Sequence, residues 1–313
     1  MITQNKNASG STRLRTSCLL VALLLVASAC LTACSGGTKQ GAKTTDTGKN
    51  AASSAQASAL PKGSGDAPIL KVSGPGITTP ADLSLSQLKE LAGSPLKETF
   101  SVRNAWPTAK SFTAEGVSIA ALLKAVGIKS DAGVVTITGR DGYLARFTPD
   151  QLSKPRQTYP QLKTNSAAGA ASVDALLAWS WGESGDAGAS TKLRNFVGQG
   201  SLTDTNSVVS VQDVESITVA AGPLELWAPP QYDVAKSATA RTVTLYHDSM
   251  DSVQIYYTLD GSEPTMASKL YNPSTSYYQP KLIVPIKASA GATLKMLVVG
   301  YGKLPSKVES VAL

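Results

Sequence analysis

Cysteine is the side chain with the most versatile chemistry in this sequence, and all three cysteines lie near its beginning. They are Cys18, Cys30 and Cys34, and no cysteine follows them. Cys30 and Cys34 are four residues apart, a spacing compatible with a disulfide, a metal-binding pair or acylation of a thiol. Zinc normally takes four ligands, and the sequence contains a single histidine, His247. The residues around the two thiols therefore have to indicate which of these three chemistries applies.

That segment has the layout of an export signal. Three basic residues precede an uncharged, mostly apolar run at residues 19–29, and this order is typical of a secretory signal peptide. The run is too short for a membrane-spanning helix, which needs about 20 apolar residues. Leu31-Thr32-Ala33-Cys34 resembles the lipobox of bacterial lipoproteins. The resemblance implies that residues 1–33 are a signal peptide and that lipidation of Cys34 anchors the exported protein to the extracytoplasmic face of a bacterial membrane.

The charge of the chain argues against a nucleic-acid partner. The formal net charge is +7, from 29 basic and 22 acidic residues. Residues 1–33 hold three of the basic residues and no acidic one, so their removal leaves 26 against 22, a net charge of +4. No dense run of lysine or arginine accompanies this small excess. Residues 34–67 lack aromatic side chains and cannot bury enough apolar surface to fold, which predicts a flexible tether.

The histidine and the acidic residues are weaker candidates for a chemical site. A Ser-His-Asp or Cys-His nucleophile system would need His247, which lies beside Asp248, but its position at the end of a predicted strand is more typical of a solvated turn. Three acidic pairs have the residue types of a glycosidase or calcium site: Glu183 with Asp186, Asp248 with Asp251, and Asp260 with Glu263. Each lies in a segment rich in Gly or Ser, where carboxylates commonly cap backbone amides. The sequence therefore favours turns over metal or catalytic sites here.

Short helices and strands alternate through residues 68–221, which predicts one α+β domain. A helix is predicted at 84–92, because Ser84 and Gln87 form a capping box and Gly93 stands where a helix ends. The other predicted elements are a helix at 118–126, a short helix capped at Thr148, and strands at 69–72, 100–103, 134–138, 143–147, 208–211 and 216–219.

The proline-containing segment at 222–235 is predicted to be a linker, and helix signals are absent after it. Residues 236–313 carry short β-type runs punctuated by Asp260-Gly261 and Ala290-Gly291. The predicted strands of this region lie at 243–246, 253–259, 282–285, 293–300 and 307–311. Spacing of this kind over about 75 residues predicts a small all-β sandwich.

The second domain also carries a specific pattern. It consists of Ile-Tyr-Tyr-Thr-Leu-Asp-Gly-Ser-Glu-Pro-Thr at 255–265, Ser-Lys-Leu-Tyr-Asn-Pro at 268–273, Ala-Thr-Leu-Lys at 292–295 and Ser-Lys-Val at 306–308. The pattern resembles the chitobiase/β-hexosaminidase C-terminal domain and implies an immunoglobulin-like module without catalysis of its own. Five tyrosines are candidates for a sugar platform: Tyr256, Tyr257, Tyr271, Tyr277 and Tyr278. Adjacent strand positions face opposite sides, so Tyr256 or Tyr257 is predicted to be core.

The first domain resembles a redox fold in the order of its segments. They are residues 83–91, Phe100-Ser-Val-Arg-Asn104, residues 115–123, Gly139-Arg-Asp-Gly-Tyr143 and Leu193-Arg-Asn-Phe-Val-Gly198. This order resembles the molybdopterin-binding domain of the sulfite oxidase family in a divergent form. Active members place a molybdenum-binding cysteine where this chain has Asn104, and an amide oxygen is a poor substitute for a soft thiolate. The resemblance implies the fold without a cofactor, and a molybdopterin-dependent oxidoreductase with unusual ligation is the alternative.

The same resemblance implies a candidate ligand- or cofactor-binding set around the former cofactor cleft. Its members are Arg103, Asn104, Trp106, Arg140, Asp141, Tyr143 and Arg194. The arginines favour an anionic or strongly polar ligand, although packing and surface roles account for the same residues. We expect a non-enzymatic, lipid-anchored surface protein that binds a small ligand, a protein partner or a cell-wall glycan. Carbohydrate binding directed by the second domain is a further alternative.

Overall fold

The computed structural model describes residues 60–62, 65–183 and 188–313. The predicted signal peptide at 1–33, Cys34 and nearly all of the tether at 34–67 lie outside the described residues, as does Asp186. Most of the regular secondary structure in the described chain is β-strand, with a few short helices. No helix in these ranges is long and apolar enough to cross a membrane.

The elements are numbered in chain order. In the described ranges the α-helices are α1 (Leu85–Ala92), α2 (Ile119–Ala125) and α3 (Pro149–Ser153). The strands are β1 (Leu70–Ser73), β2 (Ala81–Leu83), β3 (Leu96–Arg103), β4 (Ala109–Ser118), β5 (Ala132–Gly139), β6 (Leu144–Phe147), β7 (Arg156–Thr158), β8 (Ala171–Val173), β9 (Leu176–Glu183), β10 (Gly188–Phe196), β11 (Val214–Ala221), β12 (Gln231–Lys236), β13 (Ala240–Tyr246), β14 (Val253–Thr258), β15 (Lys269–Leu270), β16 (Ile286–Ser289), β17 (Thr293–Gly300) and β18 (Glu309–Ala312). Short 3₁₀ turns occupy Leu162–Thr164, Asn206–Val209 and Pro280–Leu282.

Capping side chains explain where two of the helices begin. The hydroxyl of Ser84 accepts a hydrogen bond from the backbone N–H of Gln87 at 3.3 Å, and the Gln87 amide oxygen accepts from the Ser84 N–H at 2.9 Å. Thr148 and Gln151 repeat this exchange at the start of α3, at 3.2 and 2.9 Å. Each exchange satisfies two backbone donors that the helix itself leaves unpaired. Both capping boxes were predicted from the sequence and are confirmed.

The first domain has a two-stranded sheet of β7 and β8 and two larger sheets. One has the order β2-β1-β11-β5-β6, with β1 and β11 parallel and the other pairs antiparallel. Every second residue of β5 is buried, so its apolar side chains join those of β1, β11 and the helices in one core. The second sheet has the order β10-β9-β4-β3, and Phe100, Phe112 and Phe196 pack together on it with ring centroids 5.3 to 5.7 Å apart.

The second domain has two further sheets, of order β12-β13-β16 and β15-β14-β17-β18. Val243 and Leu245 of the first sheet share one apolar core with Ile255, Leu294 and Met296 of the second. Two sheets that enclose a common core are the arrangement of a β-sandwich. The predicted β-rich character of this domain is therefore confirmed.

The strand predicted at 208–211 is wrong, because the segment begins as part of the 3₁₀ turn Asn206–Val209. The amide of Asn195 explains the difference. Its Nδ2 donates to the carbonyl oxygen of Val209 at 2.8 Å, and its Oδ1 accepts from the N–H of Val211 at 2.5 Å. The Asn195 side chain on β10 thus bonds to the Val209 carbonyl and the Val211 N–H, two backbone groups that a neighbouring strand would otherwise bond.

The strand predicted at 282–285 is also wrong. Pro280 lies just before this run and Pro285 is its last residue, and proline has no N–H to donate to a sheet. The 3₁₀ turn ends at Leu282, and β16 begins only at Ile286. In the segment predicted as a linker, Trp227 donates its backbone N–H to the carbonyl oxygen of Leu304 at 2.9 Å, and β12 begins at Gln231, inside the predicted linker.

Candidate ligand-binding groove

Asn104, at the position where the family resemblance expects a cysteine, shapes a loop. Residues 104–108 connect β3 to β4, and Oδ1 of Asn104 accepts hydrogen bonds from the backbone N–H groups of Trp106 at 2.9 Å and Thr108 at 3.2 Å. The N–H of Asn104 donates to the carbonyl oxygen of Thr108 at 3.1 Å. Asparagine commonly stabilises turns through such bonds to its own backbone. The amide oxygen is therefore already engaged.

Arg103 is held at the base of the same loop. Its Nη2 donates to Oδ1 of Asn165 at 2.8 Å, and its backbone N–H donates to Oδ1 of Asn206 at 3.0 Å. Its Nε is buried without a hydrogen-bond partner, and burial lowers the pKa of the guanidinium. A buried donor that stays unpaired costs about 1–3 kcal/mol. An acceptor that reached this Nε would relieve that cost.

Arg194 packs on aromatic rings. Its guanidinium carbon lies 4.8 Å from the ring centroids of both Phe112 and Phe196, and its Nε donates to the hydroxyl of Ser210 at 3.1 Å. Burial lowers its pKa, an effect that Glu183 partly opposes. A guanidinium over two aromatic faces is a stabilising arrangement in itself. Arg194 thus has a structural role in the second sheet.

The turn between β5 and β6 presents the remaining predicted residues. Oδ1 of Asp141 accepts from the N–H of Tyr143 at 2.9 Å, while Nε of the exposed Arg140 lies 3.8 Å from Oδ2 of Asp213. The hydroxyl of Tyr143 donates to the carbonyl oxygen of Val208 at 2.6 Å. Burial, Asp141 and Tyr278 raise the pKa of Tyr143. This tyrosine therefore lies near a tyrosine of the second domain.

Three exposed aromatic side chains, Trp106, Tyr277 and Tyr278, are in ring contact where the two domains touch, and the exposed Tyr143 lies near them. Trp106 and Tyr143 belong to the first domain, and Tyr277 and Tyr278 belong to the second. The rings of Trp106 and Tyr278 lie 5.7 Å apart at 47°, and those of Tyr277 and Tyr278 lie 5.0 Å apart at 84°. Their exposed fractions are 50% for Trp106, 47% for Tyr143, 79% for Tyr277 and 46% for Tyr278. We call these four residues the aromatic patch.

The loops that carry the patch are tied together. The hydroxyl of Ser274 donates to the carbonyl oxygen of Ala105, which joins the 104–108 loop to the second domain. Asp251 braces the other side of the patch: its Oδ1 accepts from the hydroxyl of Ser276 at 2.7 Å and from the N–H of Tyr277 at 3.3 Å. The patch is therefore held by polar contacts from both domains.

A groove of about 700 Å³ lies along the junction, and Tyr143 is the patch residue that lines it. Tyr143 and Leu144 line one end, Asp251 and Ser252 line the second-domain side, and Trp227 lies further along. An adjoining cavity of about 260 Å³ shares Val208, Asp251, Ser252, Tyr301 and Lys303 with the groove. Binding sites of proteins usually have volumes of about 300–1,000 Å³ and frequently lie between domains. The groove has both features.

A buried ionic cluster lies at the junction and links the two domains. Oδ2 of Asp204 accepts from Nη2 of Arg156 at 2.6 Å, from the N–H of Gly200 at 2.7 Å and from the hydroxyl of Tyr301 at 2.7 Å. Tyr301 belongs to the second domain. Burial, followed by Asp204, raises the pKa of the Tyr301 hydroxyl well above its ordinary value. Burial alone lowers the pKa of Arg156, but Tyr301 and Asp204 outweigh it, and the net effect is a raised pKa.

Amide and hydroxyl contacts extend the junction. The side chain of Gln151 donates to the carbonyl oxygen of Gly300 at 2.9 Å and accepts from the N–H of Gly302 at 3.0 Å. The hydroxyl of Tyr256, a fully buried residue, lies 3.0 Å from that of Ser201. The second domain therefore contacts the first through paired polar groups, and the buried Tyr256 hydroxyl is one of these groups.

The other sequence candidates make local contacts. Nδ1 of His247 accepts from the N–H of Ser249 at 3.0 Å, so Nε2 carries the proton toward the carbonyl oxygen of Ala228 at 3.2 Å. Among the acidic residues, Glu183 pairs with Lys110 at 3.1 Å, Asp260 caps the N–H of Ser262 at 3.0 Å, and Glu263 pairs with Lys295. None of these contacts forms a nucleophile system.

The residues at the predicted metal position do not fit molybdenum. The oxygen of Asn104 is occupied by two backbone donors, and it is a hard ligand for a metal that the family binds through a soft thiolate. Within the described ranges, no group of three or more His, Cys, Asp or Glu side chains is placed to hold a metal ion. We therefore assign no cofactor chemistry to this position.

The structure brings only part of the predicted set together. Trp106 and Tyr143 both approach Tyr278, whereas Arg103, Arg140 and Arg194 make separate contacts with Asn165, Asp213 and Ser210. Sequence reasoning missed Asp251 as the brace of the patch, and it missed the cluster of Arg156, Asp204 and Tyr301. These residues are far apart in sequence and follow no local motif, so no sequence signal joined them.

Comparison with known proteins assigns the second domain. Residues 234–310 match the family model of the chitobiase/beta-hexosaminidase C-terminal domain. This match confirms the resemblance that the sequence showed for that region. None of the curated proteins compared with the chain matches it.

Two solved structures show distant similarity. Sulfane dehydrogenase SoxCD of Paracoccus pantotrophus is 11% identical, with 75% of this chain and 68% of that chain covered and a TM-score of 0.34. The Endo-D glycoside hydrolase domain of Streptococcus pneumoniae R6 is 15% identical, with 70% of this chain and 33% of that chain covered and a TM-score of 0.21. Both TM-scores are too low to support an inference about this chain.

Proposed function

We propose that this chain is an exported, lipid-anchored binding protein without redox catalysis, and that its ligand lies in the groove between the two domains. The observation that carries the proposal is the groove itself, about 700 Å³ in volume and lined at one end by the exposed ring of Tyr143 from the aromatic patch. Exposed aromatic groups beside a groove are typical of binding surfaces. The second domain supplies half of this surface and acts as part of the site.

The first domain, residues 68–221, is proposed to be a degenerate molybdopterin-binding fold. The order of its sequence segments supports this assignment. The occupied oxygen of Asn104 and the packing of Arg194 against Phe112 support the loss of cofactor binding. Within the groove, the charged Lys303 pairs with Glu225 at 2.6 Å and lies over the ring of Trp227. Because these charges are paired, the groove surface is suited to binding a ligand.

Molybdenum content tests the absence of redox chemistry. The full-length chain is produced in a molybdenum-replete host, and its metal content is measured alongside that of Asn104→Cys. We expect no stoichiometric molybdenum in either protein, because the loop around residue 104 is built on the amide contacts. Thr108→Cys, at the other end of the same loop, is the matched control for nonspecific metal binding by a thiol. Stoichiometric molybdenum in the wild-type chain would overturn the proposal.

Membrane attachment tests the anchor. Cys34→Ala should release or mislocalise the protein, whereas Cys30→Ala should behave as the wild type. Acyl chains contribute about 0.8 kcal/mol for each buried methylene, and stable anchoring takes two chains. Detergent-phase partitioning measures the difference. Equal partitioning of Cys34→Ala and the wild type would refute lipidation at this residue.

A further inference from the structure

We propose that the aromatic patch binds a neutral glycan built from pyranose rings, and that the bound sugar chain continues into the junction groove. The inference rests on the proposed binding function and names the ligand class for the same site. It uses residues from both domains, since Trp106 and Tyr143 belong to one and Tyr277 and Tyr278 to the other. Neither domain holds the complete site.

The ring surfaces match the C–H faces of sugars. The face of an aromatic ring carries negative charge and attracts the partly positive C–H groups of a pyranose. Tyr277 exposes 79% of its surface and Trp106 exposes 50%, so both rings offer contact area to a ligand. The rings are inclined to one another by 47° and 84° through Tyr278. Such a patch has an angular form, which suits a chain of successive sugar units.

Polar groups beside the rings suit hydroxyls. Oδ1 of Asp251 already accepts two hydrogen bonds from the patch loop, and the exposed carboxylate lines the groove next to Ser252. A carboxylate with two oxygens has further acceptor capacity for ligand hydroxyls. Sugars present hydroxyls at their edges and C–H groups on their faces. The combination of rings and a carboxylate therefore addresses both surfaces of one ligand.

The charges of the groove favour a neutral ligand. Arg146 and Lys303 contribute positive charge, whereas Glu225 and Asp251 contribute negative charge. Lys303 and Glu225 form an ion pair at 2.6 Å, and Asp251 is the charged residue that contacts the patch loop. An anionic ligand at the patch would face the carboxylate of Asp251, and like charges repel. Uncharged sugar units meet no such cost.

The size of the patch argues against a stable protein partner. A typical specific protein interface takes about 20–30 residues on each side, whereas the patch has four exposed rings and a narrow groove. Polar contacts from Ser274 and Asp251 hold its loops, so little ordering accompanies binding. A small, preorganised aromatic site is suited to a ligand of a few sugar rings.

Polysaccharide depletion tests the inference. The full-length chain in detergent is mixed with insoluble cellulose, chitin, starch or mannan, which are uncharged, and the unbound fraction is measured. We expect binding to at least one polysaccharide, weakened about tenfold or more in Trp106→Ala and Tyr277→Ala, as for central aromatic contacts in other interfaces. Tyr246→Ala is the matched control, because Tyr246 is a similarly exposed tyrosine, 46% exposed, that lies on β13 outside the aromatic patch. Thermal unfolding verifies that the variants are folded.

Each outcome either supports or overturns the glycan-binding inference. Binding that is lost in the two patch variants and kept in Tyr246→Ala supports the inference. Binding that persists in all variants overturns it, since the sugar then binds elsewhere. No binding to any of the four polysaccharides also overturns it, as does patch-dependent capture of a protein in their place. The molybdenum measurement is independent of these results, so a failed glycan test with metal-free protein removes the ligand class and leaves the binding function.

Discussion

Replacing Asp204 by asparagine should loosen the joint between the two domains. Asp204 is the acceptor for Arg156, Gly200 and Tyr301, and its side chain is 5% exposed while that of Arg156 is 16% exposed. The substitution removes the negative charge and leaves the Arg156 guanidinium without a counterion in a region that water scarcely reaches. Breaking a buried pair in this way costs about 3–5 kcal/mol.

The expected loss is large enough to measure by thermal unfolding. For a protein of this size, about 1 kcal/mol lowers the midpoint by roughly 2–4 °C, so Asp204→Asn should lower it by about 6–20 °C. Lys110→Met is the matched control, because it breaks the exposed pair with Glu183, at 3.1 Å with side chains 52% and 50% exposed. Pairs of that kind contribute about 0–1 kcal/mol.

Comparison of the two variants decides whether the reasoning holds. If Asp204→Asn shifted the midpoint no more than Lys110→Met, the cluster would not hold the domains together. Tyr301→Phe separates the contributions further, because it keeps the ring that packs against Phe147 at 5.7 Å and removes the hydroxyl. Loss of that one hydrogen bond to a charged group should cost about 1.5–3 kcal/mol, less than the loss of the charge.

Three more predictions concern pH, the loop and sheet packing. The folded state raises the pKa of Tyr301 above its ordinary value near 10, so the stability that the neutral hydroxyl contributes is present below about pH 10 and lost at higher pH. The free energy of unfolding should therefore fall less steeply with alkaline pH in Tyr301→Phe than in the wild type. Parallel alkaline denaturation curves would contradict this. Asn104→Ala should cost about 1–2 kcal/mol of unfolding free energy, because two backbone donors lose their acceptor, whereas an unchanged urea midpoint would disprove the turn role. Gly116→Ala should destabilise strongly, since a Cβ there would collide with the carbonyl oxygen of Leu177, whereas Gly188→Ala, with open space around it, should be tolerated; equal soluble yields and melting temperatures would refute this.

Local sequence specified the helix starts and much of the strand order. The capping residues Ser84 and Thr148 mark the beginnings of α1 and α3 because the hydrogen bonds involved span only three residues. Strand β17 occupies the predicted range Thr293–Gly300, since every second side chain faces the core. The pattern within 234–310 was specific enough to identify the family of the second domain.

Long-range contacts decided the elements that the sequence pattern missed. The β-branched run after Asn206 reads as a strand by composition, but its backbone groups bond to the amide of Asn195 on another element. Side chains that compete for backbone groups in this way override propensity. The choice between strand and 3₁₀ turn was therefore made by a residue that no local window contains.

The sequence predicted only part of the candidate site. The resemblance to the molybdopterin-binding fold implied Trp106 and Tyr143 as candidates, and residue type alone suggested Tyr277 and Tyr278 for a sugar platform. Their meeting at one surface depends on the docking of two domains through Asp204, and burial of that charge requires partners from segments far apart in the chain. Sequence alone therefore determined the family of residues 234–310 and the helix starts, while tertiary packing determined the groove, because a site built from distant segments exists only once their surfaces are in contact.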